Sequence, residues 1–90
     1  MTATETLVAV DFDGDDLPIE PVIAYLLDAG ADPQVETGTE PHWRTGAPQT
    51  VHRIAYDGTA ARSTHVHGVG FRAGFIVHCE PGDTRRRSTA

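Results

Sequence analysis

Residues 6–12 run TLVAVDF, a short apolar stretch in which Val8 and Val10 alternate, and this predicts a buried strand. Residues 13–16 then read as a turn, with Asp15 or Asp16 as the N-cap of a helix and Pro18 in its first turn. Ile19, Val22, Ile23, Leu26 and Leu27 recur at spacings of three and four, which lays one apolar stripe along that helix. Gly30 should end it as a left-handed cap, Pro33 prevents a restart, and Pro21 must fall in the first turn or delay the start. Residues 34–49 are polar and rich in Gly, Pro and Thr. They predict a long connection holding at most a short strand near Val35.

The second half reads as strands. Residues 50–56, TVHRIAY, predict one, and Asp57-Gly58 predicts a tight turn that returns the chain along residues 59–66. Gly68 and Gly70 would bracket a bend or bulge. In residues 71–79, Phe71, Ala73, Phe75, Val77 and Cys79 alternate with Arg72, Gly74, Ile76 and His78, the period of a strand with one face on a core. The expected fold is therefore α+β, one helix packed on a small, mainly antiparallel sheet of three to four strands. Residues 1–84 would form the single domain and residues 85–90 a flexible Arg-rich tail. Whether the first strand sits at an edge or in the middle stays open.

Composition limits what such a domain can do. Ninety residues with 39% hydrophobic and 7% aromatic side chains can build only a modest core, which leaves apolar surface for a protein partner or a second copy of the chain. The net charge is -6 although Arg85, Arg86 and Arg87 are clustered, so the folded body is acidic and repels nucleic acid. The single cysteine, Cys79, rules out an intrachain disulfide. It falls on the apolar face of its strand and reads as a buried, inert thiol. With no signal-peptide pattern and no membrane-length apolar run, the expected location is the cytoplasm, without membrane association. Lysine and asparagine are absent, as a GC-rich genome would favour. In that style the chain resembles small orphan proteins of actinobacteria or their phages, which would place it in the host cytoplasm.

Four patterns carry candidate chemistry. The first is LVAVDFDGDDL, residues 7–17, which resembles the first motif of haloacid dehalogenase-type phosphotransferases. That resemblance implies Asp11 as nucleophile, Asp13 as general acid/base and Mg²⁺ as cofactor. Asp15 stands where the family has Thr, and no lysine is present to neutralise a phosphate. A strand end followed by an Asp-Gly turn accounts for the same residues. Read as a calcium loop from Asp11, the segment has Asp16 where Gly is needed and Val22 where Glu is needed. The second pattern, IAYLLDAGADPQ at residues 23–34, is similar to part of an ankyrin repeat, but no second copy follows to bury its face. The third is histidine. If residue 56 pairs with 59, then His52, His65 and His67 share a strand face and could hold Zn²⁺, with His78 or Cys79 as a remote fourth ligand. The same register would set Arg53 opposite Arg62. The fourth is Trp43, flanked by His42 and Arg44, which would plug the core from its loop or offer an exposed contact.

No complete catalytic set emerges, and no cofactor is required. The sequence favours a small non-catalytic interaction module that presents Trp43, His42 and Arg44, or an exposed sheet edge, to a protein partner or to itself. A Zn²⁺ protein through the histidines and a Mg²⁺-dependent phosphotransferase are the alternatives.

Overall fold

A computed structural model describes residues 4–11 and 17–82 of the chain. It contains β1 (Thr4–Asp11), α1 (Glu20–Asp28), β2 (Gln34–Pro41), β3 (Pro48–Asp57), α2 (Ser63–Arg72) and β4 (Ile76–Pro81). The four strands form one sheet in the order β2-β3-β1-β4, with every neighbouring pair antiparallel. The fold is α+β, as the residue pattern predicts, with two helices in place of one. Each helix links strands that are not neighbours, which is the split β-α-β arrangement. It puts β1 in the interior of the sheet and leaves β2 and β4 as edges.

Both helices contribute to the core on one face of the sheet. Val22 and Leu26 of α1 and Val66 of α2 are fully buried with Leu7, Ala9, Ile54, Tyr56 and Phe75. The apolar stripe of α1 is narrower than its spacing suggests, because Leu27 is exposed and Ile23 half-buried. Ile19 occupies the N-cap and Pro21 lies in the first turn. The helix thus starts later than an Asp15 or Asp16 cap would place it, and both aspartates lie outside the described residues.

The two helices stop by the same device. After α1, Gly30 has φ +76 and donates to Leu27 O (3.0 Å), while Ala31 donates to Leu26 O (2.9 Å). After α2, Gly74 has φ +102 and donates to Phe71 O (3.0 Å), while Phe75 donates to Gly70 O (3.2 Å). These are paired Schellman bonds, and in each the residue after the glycine, Ala31 or Phe75, is buried. Gly30 acts as the sequence predicts. Gly74, expected within a strand, is a helix stop.

Three sequence expectations need correction. Residues 59–66 are not a return strand, because Asp57 instead closes a turn that leads into α2. Its Oδ1 accepts from the backbone N–H (2.9 Å) and hydroxyl (2.6 Å) of Thr59. Those bonds hold the Asp57 carboxyl below its ordinary range. Residues 71–79 do not form one strand either: Phe71 and Arg72 end α2, and β4 begins only at Ile76. Residues 34–49 are a strand and a tight turn instead of a long connection. β2 shows no alternation of polarity because all its residues are exposed except Glu40, which is partly so.

Opposite the helices, the other face of the sheet carries rows of mixed character. The strand register aligns Ile76, Val10, Val51 and Gly38 in one row, and His78, Val8, Arg53 and Glu36 in the next. Arg53 is salt-bridged to Glu40 on this face, which raises the guanidinium pKa further. Among the described residues, no helix is long and apolar enough to cross a membrane.

Candidate functional site

Two regions gather candidate functional side chains. One is the tip of the β2–β3 hairpin. The backbone of His42 and Ala47 closes the turn (His42 N to Ala47 O, 2.8 Å), and Gly46, with φ +73, donates to His42 O (2.9 Å). The His42 imidazole then locks the loop from within. Its Nδ1 accepts from the backbone N–H groups of Arg44 (3.0 Å) and Thr45 (3.2 Å), and Thr45 Oγ1 accepts from Ala47 N–H (3.2 Å). Trp43, at the apex, is 81% exposed. The Arg44 guanidinium lies 5.1 Å from the indole centroid and the His42 ring stacks at 5.8 Å. Trp43 is thus exposed and not a core plug. Beside it lies a hollow of about 340 Å³ reaching Pro48 and Gln49, whose Oε1 is buried and has no hydrogen-bond partner among the described residues.

The other region lies where β1 ends. Asp11 is 2% exposed, and its carboxylate accepts the backbone N–H of Leu17 (3.1 Å), tying the strand end to the approach of α1. Next to it on β3, His52 is 9% exposed, with Nδ1 2.8 Å from the Thr37 hydroxyl and its ring edge-on to Phe75 at 5.6 Å. Burial pushes the His52 imidazole below its ordinary range, while the nearby Asp11 and Glu20 carboxylates pull the other way.

The unfolded chain takes up the His52 proton near pH 6.5, the folded chain only at lower pH. Between the two values the unfolded state holds more protons, so stability is full above the unfolded value and falls as the pH drops through it. The urea midpoint should therefore decline between about pH 7.5 and about pH 5.5, and the decline should be shallower in His52→Gln. Equal slopes in the two proteins would contradict this account of the imidazole.

No protein-family model matches this chain, and neither does any curated protein or solved structure.

The histidine arrangement expected from a 56–59 register is not formed. His52 lies on β3, while His65 and His67 are exposed on α2. His67 Nε2 meets Val77 O at 3.1 Å, and His78 pairs with Glu80 at 3.2 Å. Arg62, expected opposite Arg53, precedes α2 instead. Among the described residues no three His, Cys, Asp or Glu side chains are placed to hold a metal ion. Of the two carboxylates in the phosphotransferase-like motif, Asp11 has the role just given and Asp13 lies outside the described residues, as do Arg85, Arg86 and Arg87.

Cys79 is half-buried on the helix-facing side of β4. It accepts a long contact from the Tyr56 hydroxyl (4.0 Å) and donates to Ser63 O (3.5 Å). Burial pushes the thiol above its ordinary range, which disfavours the thiolate a nucleophile needs. Thr37 and Gln49 were not singled out by the sequence. Thr37 gains meaning only once β2 is known to pair with β3, and nothing in the residue order marks Gln49.

Proposed function

We propose that this chain is a non-catalytic interaction module whose β2–β3 hairpin engages a protein partner, or a second copy of itself, through Trp43. The observation that carries the reading is a solvent-exposed indole on a turn braced by an imidazole and three backbone-to-side-chain hydrogen bonds. A large aromatic side chain already held in place loses little conformational entropy when it is buried at an interface, which is why tryptophan so often dominates binding energy. The buried acceptor Gln49 Oε1 supports the same reading, since a donor from the partner would satisfy it. An accessory role in a phage or an actinobacterium fits the composition.

The test is capture of partners from the native host by the wild-type chain and by Trp43→Ala. The substitution should leave the unfolding midpoint unchanged, because the side chain buries little on folding. It should weaken retention of the captured protein by about 30-fold, the equivalent of about 2 kcal/mol at a hot spot. Self-association is checked by light scattering of both proteins at high concentration. Wild-type and Trp43→Ala chains that retain the same partner equally, or that show the same mass distribution with no partner captured, would refute the proposal.

A further inference from the structure

The hollow beside Trp43 brings together open hydrogen-bonding capacity of both kinds. On the donor side stand the Arg44 guanidinium, with its fork of N–H groups, and the Trp43 indole N–H, both on exposed residues. Among the described residues neither group has a hydrogen-bond or ion-pair partner, and the guanidinium makes only its cation–π contact with the indole. On the acceptor side stands Gln49 Oε1, buried and without a donor among the described residues. All three residues line the same hollow of about 340 Å³. We propose, resting on the reading of this hairpin as a contact surface, that it recognises an acidic peptide segment. A carboxylate of the segment pairs with Arg44, and a backbone N–H beside that carboxylate donates to Gln49 Oε1.

Charge selects the acidic partner. Arg53, the other arginine of this hairpin, is neutralised by Glu40, whereas Arg44 forms no salt bridge among the described residues. The N–H groups of a guanidinium lie in its own plane, so contact with the indole face does not consume them. They stay available for bidentate pairing with a carboxylate, the strongest hydrogen bonding arginine makes. A basic segment would meet Arg44 with like charge and would leave its donors unmatched.

Gln49 makes the occupant a peptide and not a lone anion. A buried acceptor with no donor costs stability until one is supplied. An inorganic anion brings no donor, but a peptide carries an N–H at nearly every residue. Gln49 is only half-buried, so turning its amide presents Oε1 to a segment that enters the hollow. Single-stranded nucleic acid also combines stacking with negative charge, but it is held by a run of cations along its backbone. Among the described residues lining the hollow Arg44 is the only arginine, and the chain has no lysine and a net charge of -6.

The experiment titrates the full chain with the acetylated and amidated peptides Leu-Glu-Leu, Leu-Gln-Leu and Leu-Lys-Leu, and with an oligothymidine. Binding is followed by fluorescence of Trp43, the single tryptophan, and by NMR of the Gln49 side-chain amide. The glutamate peptide should bind at least about tenfold more tightly than the glutamine peptide, and Arg44→Gln should abolish that preference. Arg62→Gln removes the same charge at the start of α2 and should leave the preference within about twofold. Gln49→Met should raise the urea midpoint, because the unpaired acceptor is gone, yet weaken the glutamate peptide at least about threefold. A merely structural role for Gln49 would move stability and affinity in the same direction.

The proposal is overturned if the glutamine or lysine peptide binds as tightly as the glutamate peptide, or if the oligothymidine saturates at lower concentration. Equal weakening by Arg62→Gln and Arg44→Gln would also overturn it, because the attraction would then be general to any cation on the surface. Absence of saturation by every peptide overturns it as well. Failure of the hairpin reading itself shows separately, as equal capture of a host protein by the wild-type chain and Trp43→Ala.

Discussion

Phe75→Ala should remove about 3–5 kcal/mol of folding stability, while Phe71→Ala should cost no more than about 0.5 kcal/mol. Phe75 is 2% exposed, belongs to the main core and is the buried residue that completes the Schellman stop of α2. Truncating it leaves a cavity in that core and strips the edge contact from His52. Phe71 is 68% exposed and has little transfer energy to lose. A domain of this size has total stability of roughly 5–15 kcal/mol, so Phe75→Ala should leave it marginal or unfolded at room temperature. Urea unfolding followed by circular dichroism measures both. A strand through residues 71–79 would place both rings on one buried face and make the two costs similar, so comparable losses would contradict the helix.

The second large effect concerns two glycines in the same helix and should have opposite signs. Glycine to alanine in a helix interior ordinarily stabilises by about 1 kcal/mol. Gly68→Ala should follow that rule, since its added Cβ would meet only the flexible end of Arg72, at 3.4 Å. At Gly70 the added Cβ would sit 2.8 Å from Val77 Cγ1 and 3.4 Å from Leu7 Cδ2. Both neighbours are held by the sheet, so α2 must lift away or the strands must shift. Overpacking of this kind costs about 1–3 kcal/mol and outweighs the propensity gain. Adding Val77→Ala to Gly70→Ala should recover most of the loss, which loss of backbone freedom alone would not predict. A stable Gly70→Ala protein would show that α2 does not pack as closely as described.

These predictions mark where the residue order stops being informative. The stripe on α1, its end at Gly30 and the strand character of residues 50–56 could all be read directly, because each depends on a periodicity or a cap within a few residues. α2 could not. Thr64, Val66 and Val69 are β-branched, Gly68 and Gly70 are poor helix formers, and no side chain caps its start. Local preference there opposes the helix, which holds because Val66 is buried and Gly70 admits close contact with the sheet. The alternation that suggested a strand in residues 71–79 is coincidental across the Gly74 stop.

The candidate sites divide in the same way. The sequence already contained Trp43 with its polar flanks, an acidic strand end at Asp11 and five histidines. Whether the indole is buried or exposed, and which histidine stands beside which carboxylate, was decided by strand pairing. The Ala9–His52 and Thr37–His52 registers bring together residues 43 and 15 positions apart, and no short-range rule encodes such neighbours. By itself the residue order determined local periodicity, helix punctuation and the sign of the charge. Tertiary structure decided which faces meet, because burial is won by contacts between distant segments, and a locally unfavourable helix survives when those contacts outweigh its own preference.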